Sequence, residues 1–193
     1  MKRVILYIAA SLDGYIADER GSVSWIEGEE ESAEMPDNYS LFFESIDTVV
    51  MGRKTYEQIV TELSPDKWPY AGAVTYVLTR RRETDDTEEI RFTDTDPCQL
   101  VNRLRQGDGK NIWICGGAEV ANQLIKEDLI DIFHISIIPV LLGGGIRLFG
   151  PTGSPRDLRL TCTQEYNGII EAVYERRAAA PKVHSTGNRS MRA

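Results

Sequence analysis

The sequence predicts an α/β fold with a mainly parallel sheet that helices cover on both faces. Short apolar runs rich in Val, Ile and Leu alternate with segments of helical periodicity, the pattern of successive strand–helix–strand units. The last two apolar runs, Leu158–Tyr166 and Ile169–Arg176, are joined by Asn167-Gly168, a strong signal for a two-residue hairpin. We therefore expect an antiparallel pair at one edge of the sheet.

The elements follow in order along one domain, residues 1–177, and residues 178–193 read as a disordered tail. The first strand turns at residues 11–14 and returns through an apolar stretch to residue 17. A long polar loop at 18–35 contains Trp25, and loops of this length are often functional. Asp96 and Pro97 supply an N-cap and a first-turn proline for the third helix. The predicted helices cover residues 37–45, 54–63, 97–106 and 118–127. The predicted strands before the hairpin cover residues 2–10, 48–51, 73–79, 89–93, 110–115 and 130–140.

The charge distribution bounds the partners. The chain carries 22 Lys and Arg against 30 Asp and Glu, and five of the cations follow Glu175, after which no acidic residue occurs. The body is therefore strongly acidic, which argues against nucleic acid and anionic membranes as partners. The three cysteines, Cys98, Cys115 and Cys162, form no CxxC motif. A reduced, cytoplasmic setting is the simple interpretation.

Two glycine turns are candidate phosphate sites. One apolar run ends in Gly116-Gly117, and a helical pattern with Val120, Ala121, Leu124 and Ile125 on one face follows at once. A helix N-terminus behind glycines offers free N–H groups to an anion. The second turn is Gly52-Arg53-Lys54-Thr55, which adds two cations and a hydroxyl. Either glycine could also serve the turn alone, with Thr55 as a cap and the cations solvated.

A third strand exit carries Thr79 and Arg80, followed by Arg81 and Arg82. Because ligands of open α/β sheets bind outside the carboxyl ends of the strands, the exits at Gly52, Thr79 and Gly116 are expected to face one crevice. Several phosphates would fit such a crevice, although an arginine run is often a solvated loop.

Other polar residues leave alternatives open. Gly143-Gly144-Gly145 is either a flexible bend or a backbone wall against which a flat ring lies. Asp13 either caps its turn or contacts a substrate, and Asp37 opens a helix whose dipole alone explains a carboxylate. His134 lies in an apolar strand and reads as a satisfied core residue. The sequence has no HExxH motif and no G-x-S-x-G turn, so neither a metal site nor nucleophilic hydrolysis is expected.

The ordered set of motifs resembles the dihydrofolate reductase-like family, and most closely its bacterial branch related to the C-terminal reductase domain of riboflavin biosynthesis proteins. The resemblance covers roughly residues 2–176 and implies a three-layer α-β-α fold. The motifs that carry it are, in chain order, Val4–Ala17 with Ser11-Leu-Asp-Gly14, Met51-Gly-Arg-Lys-Thr-Tyr-Glu57, Val77-Leu-Thr-Arg80, Cys115-Gly-Gly117, Leu129-Ile-Asp-Ile-Phe-His-Ile-Ser136, and Pro139-Val-Leu-Leu-Gly-Gly-Gly145.

The resemblance implies NADPH as the hydride donor. Gly52, Arg53, Lys54 and Thr55 would hold the adenosine phosphates, and Thr79 and Arg80 would approach the 2′-phosphate. The pyrophosphate would rest on Cys115, Gly116, Gly117, Ala118 and Glu119. The nicotinamide would be bordered by Ala9, Ala10 and Ile16.

The substrate half departs from the folate pattern. Trp25 falls where folate reductases have a loop tryptophan, and Asp37 lies within one residue of their pterin-binding acid. Ser11 and Asp13 instead match the turn that lines the substrate pocket of riboflavin-type reductases, with Gly143 and Gly144 as the wall. We expect a homodimeric, NADPH-dependent reductase of a pterin-like or aminopyrimidine substrate, with Asp13, Trp25 and Asp37 as catalytic candidates. A non-catalytic NADP(H)-binding module and a true dihydrofolate reductase are the alternatives.

Overall fold

The computed structural model describes residues 1–30, 36–81 and 86–177. An eight-stranded sheet runs through the molecule in the order β5-β4-β3-β6-β1-β7-β10-β9. The pairings from β5 to β7 are parallel, and β10 and β9 complete the sheet antiparallel. The eight strands are β1 Val4–Ser11, β3 Ile46–Gly52, β4 Val74–Leu78, β5 Ile90–Thr93, β6 Asn111–Gly116, β7 Ile132–Ile138, β9 Leu158–Tyr166 and β10 Ile169–Arg176.

Helices cover the sheet on both sides, as predicted. One apolar cluster packs Leu6 and Ile114 against α3 and α4, and the other packs Val49 and Met51 against α1 and the segment after α2. The helices are α1 Asn38–Glu44, α2 Arg53–Gln58, α3 Pro97–Leu104 and α4 Ala118–Lys126. The mainly parallel α/β architecture with an antiparallel C-terminal hairpin is therefore confirmed.

Local signals in the sequence explain several elements. The Asp96 side chain accepts hydrogen bonds from the N–H groups of Cys98 and Gln99 and caps α3, with Pro97 in its first turn. Asn167 and Gly168 have φ values of 48° and 75°, as the predicted hairpin turn requires. The four apolar positions of α4 are all buried. These predictions are confirmed.

The second helix differs from its prediction. The α-helix ends at Gln58, and Ile59–Leu63 forms a π-helical turn in which Ser64 N–H donates to Ile59 O. A π turn holds more residues than an α turn, so it rotates Leu63 off the buried face, and this residue is 57% exposed. The prediction of one regular helix through residue 63 is therefore wrong for its last turn.

A short pair of strands lies beside the main sheet. β2 (Tyr15–Ala17) is the predicted apolar return, and it pairs with β8 (Ile146–Arg147), which the sequence did not indicate. No helix within the described residues is both long and apolar enough to cross a bilayer. The predicted tail, residues 178–193, lies outside the described residues, as do Arg82 and residues 31–35 of the long loop.

Candidate active site at the carboxyl edge of the sheet

The residues predicted to face one crevice lie at the carboxyl ends of adjacent parallel strands. β4, β3, β6, β1 and β7 are neighbours in that order, so their last residues reach the same edge of the sheet. The register pairs Leu78 with Gly52 and Met51 with Gly116. The strand exits at Gly52, Thr79 and Gly116 are therefore brought to one edge, as the sequence predicted.

The two glycine turns face each other. A Cβ atom added to Gly117 would lie 3.5 Å from Thr55 Oγ1, and one added to Gly116 would lie 3.8 Å from it. A Cβ on Gly52 would lie 3.5 Å from the Val120 side chain. The Gly116–Gly117 peptide is cis, and Gly116 has a φ of 138°, which L side chains rarely adopt. We call Gly52, Thr55, Gly116 and Gly117 the glycine cradle.

The cradle leads directly into a helix. Gly117 is the N-cap of α4, and no side chain caps this helix end. The first N–H groups of α4 are thus available to an anion. Ala118 is half-buried and Glu119 is exposed in the first turn.

A cation group stands next to the cradle. Arg53 Nε donates to Glu57 Oε1 at 2.8 Å, and Arg81 Nη1 lies 3.3 Å from the same oxygen. Arg53 Nη1 is buried and has no hydrogen-bond partner within the described residues. Lys54 is exposed on the same turn. An orphaned guanidinium N–H beside an uncapped helix start suits an anionic ligand.

The exit of β4 offers a second cation. The backbone of Thr79 donates to Thr93 O at 2.8 Å, and its hydroxyl accepts the Arg81 N–H at 3.1 Å. Arg80 follows on the surface and forms no ion pair with any residue that the structure describes. Its charge is therefore available to solvent or to a ligand.

Asp13 ties the turn after β1 to the glycine loop after β7. Its carboxylate accepts the Ser11 hydroxyl at 2.6 Å and the backbone N–H groups of Leu142 and Gly143 at 3.1 and 2.7 Å. The hydrogen bond from Ser11 is the main cause that holds the pKa of Asp13 below its ordinary value. The carboxylate is thus ionised and occupied. A catalytic role for it stays a prediction, and its contacts favour positioning.

The glycine loop needs its glycines for close approach. A Cβ on Gly145 would clash with the Ala17 carbonyl, and one on Gly144 would lie 2.9 Å from Glu19 Oε1. Gly143 has a φ of 72°. The loop therefore lies flat against β2 and the start of the long loop.

The long loop is fastened at two places. Gln58 Nε2 donates to Gly21 O at 2.9 Å, and further along the backbone of Glu29 donates to Asn167 O at 3.0 Å. Trp25, half-buried between these anchors, donates from its indole N–H to Ser22 O at 3.0 Å. The loop thus extends from α2 to the C-terminal hairpin.

Asp37 and Asn38 point to different tasks. Asp37 is the exposed N-cap of α1 and makes no side-chain capping bond. Asn38, the next residue, reaches the sheet, where its Nδ2 donates to Gln164 Oε1 at 2.6 Å and to Glu171 Oε2 at 3.1 Å. The polar contact at this helix start is therefore made by Asn38.

A buried carboxylate on the hairpin was missed from the sequence. Glu171 is 2% exposed, and its Oε1 accepts hydrogen bonds from Tyr7 Oη at 2.8 Å, Tyr166 Oη at 2.8 Å and Ser136 Oγ at 3.2 Å. His134 stacks on Tyr7, and its Nε2 lies 3.4 Å from Glu171 Oε2. We call Tyr7, His134, Ser136, Tyr166 and Glu171 the hairpin cluster. The only available signal was an acidic residue in an apolar strand.

The ionisation states within the hairpin cluster are set by opposing causes. Burial favours neutral Glu171, but hydrogen bonds from Tyr166 and Tyr7 outweigh it and keep the pKa of this carboxyl below its ordinary value. Burial lowers the pKa of His134. Burial and the bond to Glu171 raise the pKa of Tyr7. The cluster is anionic near neutral pH.

The remaining candidates lie near this edge on both faces of the sheet. Ala9 and Ala10 precede Ser11, the last residue of β1, with their side chains on opposite faces, and Ile16 packs against the apolar cluster that includes the buried side of α4. Cys115 lies in β6 just before the cradle, with Tyr70 Oη 3.6 Å from its sulfur. Burial raises the pKa of Cys115 to about 11, so the thiol is protonated and unsuited to nucleophilic chemistry.

A cavity of about 200 Å³ lies at the opposite edge of the sheet, by the N-terminus. Its cations are used in ion pairs, Arg105 and Arg176 with Asp131 and Arg3 with Glu175. It is far from the strand exits and is best understood as a seam between elements. Within the described residues, no group of three or more His, Cys, Asp or Glu is placed to hold a metal ion.

The comparison with protein families decides the relationship. The model of the RibD C-terminal domain matches residues 2–170. The chain belongs to the RibD C-terminal domain family. Two proteins of Bacillus subtilis (strain 168) are similar along nearly their whole length. The uncharacterized protein YwjB is 41% identical over 91% of this chain and 98% of its own, and the uncharacterized protein YyaP is 32% identical over 90% and 94%.

Solved structures agree with the fold. A protein of Shewanella sp. PV-4, named for riboflavin biosynthesis, superposes with a TM-score of 0.74 at 30% identity, over 91% of this chain and 99% of its own. A diaminohydroxyphosphoribosylaminopyrimidine deaminase/5-amino-6-(5-phosphoribosylamino)uracil reductase of Thermotoga maritima gives 0.65 at 17% identity. That match covers 91% of this chain and 57% of the longer protein. The dihydrofolate reductase-like fold is therefore confirmed.

Proposed function

We propose that this RibD C-terminal domain family member is an NADPH-dependent reductase of an aminopyrimidine or pterin-like substrate. The observation that carries the proposal is the glycine cradle, in which Thr55 faces Gly116 and Gly117 beside the start of α4. NADPH would supply a hydride when bound. The protein would bind the cofactor, orient it and exclude water.

The cradle is proposed to hold the phosphates of the cofactor. The pyrophosphate would accept N–H groups at the start of α4, around Gly117, Ala118 and Glu119, with Thr55 donating its hydroxyl. Arg53, whose Nη1 has no partner within the described residues, would add a charge-assisted contact. Because Gly116 and Gly117 have no side chains, the space between their backbone and Thr55 Oγ1 would be open to the phosphates.

The 2′-phosphate is proposed to lie at the exit of β4. Arg80 is exposed there beside Thr79, and the body of the chain is acidic. One cation at this place would favour NADPH over NADH, because only NADPH carries the second phosphate.

The substrate half would lie between the end of β1 and the glycine loop. Ala9 and Ala10 would border the nicotinamide on one side of the substrate, and Ser11, Gly143 and Gly144 would form the opposite wall. The proton for the substrate would come from water, since Asp13 is ionised and its oxygens are taken by Ser11 and the loop backbone. Asp13 then acts as a positioning residue.

Titration with NADPH and NADH, followed by tryptophan fluorescence and nucleotide fluorescence, tests the proposal. NADPH is expected to bind at micromolar concentration and NADH more weakly. Thr55→Val should weaken NADPH, and Thr61→Val, on the exposed π turn behind it, is the matched control. Absence of binding for either nucleotide at millimolar concentration would end the proposal.

A binding module without turnover is the second candidate. The observation that favours it is the state of the acidic residues: Asp13 is occupied, and Asp37 is exposed with no capping contact. NADPH oxidation with and without 5-amino-6-(5-phosphoribosylamino)uracil separates the two. Binding of NADPH with no stimulated oxidation by this compound or by dihydrofolate would favour the module.

We also propose a homodimer built on the C-terminal hairpin. Ile170 is 45% exposed, and Leu160 is 51% exposed. Leu160 pairs with Tyr174, which lies on the same face of β10 as Ile170. Exposed apolar side chains on the last strands of a sheet are a natural place for a second copy.

A further inference from the structure

The hairpin cluster lies close to the end of β1, the strand next to the proposed substrate site. The registers align Ala9 of β1 with Ser136 of β7, Ser136 with Glu171 of β10, and Glu171 with Gln164 of β9. Side chains aligned in this way share one face of a sheet, and adjacent strands are about 4.8 Å apart. The backbone of Glu171 is thus about 10 Å from that of Ala9 on the same face.

The start of α1 covers this row, and Asn38 makes the contact. Its Nδ2 donates to Gln164 Oε1 and to Glu171 Oε2. An ionised carboxylate can only accept hydrogen bonds, so Glu171 fixes which way the amide of Asn38 is turned. Asn38 Oδ1 therefore points away from both partners, and it accepts no hydrogen bond from the described part of the chain. The result is a hydrogen-bond acceptor held in one orientation.

The charge of the row suits a ligand rich in N–H groups. Glu171 receives neutral donors from Tyr7, Ser136, Tyr166 and Asn38 and faces His134, and it has no ion pair with any Lys or Arg that the structure describes. This contrasts with the cations next to the glycine cradle. A phosphate would be repelled here, whereas the amino and ring N–H groups of an aminopyrimidine would be attracted.

We propose that Asn38 recognises the substrate, with its side-chain carbonyl accepting an N–H of an aminopyrimidine ring, and that Glu171 is the positioning residue that holds it. The inference rests on the proposed function and names the group that selects its substrate. It assigns to Asn38 the place for which the sequence suggested Asp37. A purely architectural role would have the cluster pin the hairpin and α1 to the sheet and nothing more.

Binding of 5,6-diaminouracil separates these roles. This probe carries the amino and ring N–H groups but no sugar or phosphate, so the glycine cradle does not contribute to its affinity. Calorimetric titration, with and without NADP+, would be run on the unmodified chain, Asn38→Ala, Glu171→Gln and the control Glu165→Gln. Glu165 is exposed on the other face of the same hairpin and pairs with Ile170.

Asn38→Ala and Glu171→Gln are expected to weaken the probe at least about tenfold, the loss of one good hydrogen bond to a fixed partner. NADP+ affinity should change less than about twofold in both, and Glu165→Gln should match the unmodified chain. If Glu171→Gln does not fold, Asn38→Ala decides, because Asn38 is half-buried in the first turn of a surface helix.

Two results would overturn the inference. One is unaltered probe affinity in Asn38→Ala, which would leave the cluster a structural pin. The other is no binding of the probe to the unmodified chain at millimolar concentration. Failure of NADP+ to bind is a separate result that contradicts the proposed function, and the probe titration without nucleotide is read independently of it.

Discussion

Asp13 and Gly143 are 130 residues apart in the chain, and the carboxylate of the first accepts the backbone N–H of the second at 2.7 Å. Through Ser11 the same carboxylate is linked to the backbone of Tyr15, whose N–H donates to the Ser11 hydroxyl at 2.9 Å. One side chain thus sets the distance between the turn after β1 and the glycine loop, which together would form one wall of the proposed substrate site.

Asp13→Ala is expected to release the glycine loop while leaving the cofactor half intact. The amides of Leu142 and Gly143 lose their acceptor, so their hydrogen exchange should become faster. For a substrate that the unmodified chain reduces, kcat/KM should fall at least about tenfold, because the position of the wall controls how the substrate is oriented. The NADPH affinity should stay within about twofold, and Asp66→Ala on an exposed loop is the control. An unchanged exchange rate at Gly143 would contradict the assigned role.

Arg80→Ala tests the 2′-phosphate site. The loss of one charge-assisted contact should weaken NADPH about ten- to hundredfold and leave NADH nearly unchanged. Arg103→Ala, an exposed cation on α3, should alter neither nucleotide. Equal weakening of NADPH and NADH by Arg80→Ala would mean that this arginine acts only as part of a general positive field.

Stability should fall as the solution becomes acidic, in two windows. The pKa of His134 is lowered in the folded chain, so the unfolded chain binds more protons once the pH falls below the ordinary value of 6.5. The free energy of unfolding therefore decreases as the pH falls from that value. The pKa of Glu171 is also lowered, so its contribution is present above its ordinary value of 4.5 and is lost as pH falls through the folded value.

Urea denaturation from pH 7.5 to pH 3.5 measures both windows. His134→Gln should flatten the decline that begins near pH 6.5, and Glu171→Gln should flatten the part below pH 4.5. Each variant keeps a polar side chain of similar size. Parallel curves for Glu171→Gln and the unmodified chain over the lower window would show that this carboxyl does not titrate as described.

Asp96→Ala should cost about 1 kcal/mol of unfolding free energy, because two N–H groups at the start of α3 lose their acceptor. Asp94→Ala, two residues earlier and exposed, is the control and should change stability by only a few tenths of a kcal/mol. Equilibrium denaturation in urea measures both. Equal losses in the two variants would place the effect in net charge and not in the cap.

Ile170→Glu should dissociate the proposed homodimer. A charge on the exposed face of β10 opposes burial against a second copy, while Ile170 is already 45% exposed in the single chain. Light scattering at micromolar concentration should give a mass of about twice 21.7 kDa for the unmodified chain and the monomer mass of 21.7 kDa for the variant. The monomer mass for the unmodified chain would contradict the proposed homodimer.

The sequence carried the fold further than it carried the site. Apolar runs and turn residues located the strands closely, and Asp96 and Asn167-Gly168 act through local chemistry that neighbouring residues determine. The glycine turns could also be predicted from the sequence, although only Gly116, with a φ of 138°, needs glycine for its backbone conformation, and a Cβ on Gly52 or Gly117 would make ordinary contacts. The π turn at Ile59–Leu63 left no such local signal, and neither did β8, a two-residue strand that pairs only through tertiary contact.

The hairpin cluster could not be predicted from the sequence, because its members are distant from one another in the chain. Tyr7 and Glu171 are 164 residues apart, and only the strand order β1-β7-β10 brings them together. An isolated Glu in a strand looks like a solvated side chain until its partners are known. The choice between Asp37 and Asn38 is of the same kind, because one residue of helix rotation decides which side chain meets the sheet.

The two anchors of the long loop differ in their number of hydrogen bonds, so one end of the loop should detach more easily than the other. Among hydrogen bonds between described residues, one from Gln58 holds the Gly21 end, while Asn167 exchanges three with Glu29 and Glu30. The weaker end should detach first, so the segment with Trp25 would swing away from α2 as a flap whose hinge is the hairpin tip. The Ser22 N–H is held by Asp18 Oδ1 at 2.8 Å within the same segment and would move with it, so the motion should alter the fluorescence of Trp25 while the Glu30 N–H, which donates to Asn167 Oδ1 at 2.8 Å, stays protected from exchange.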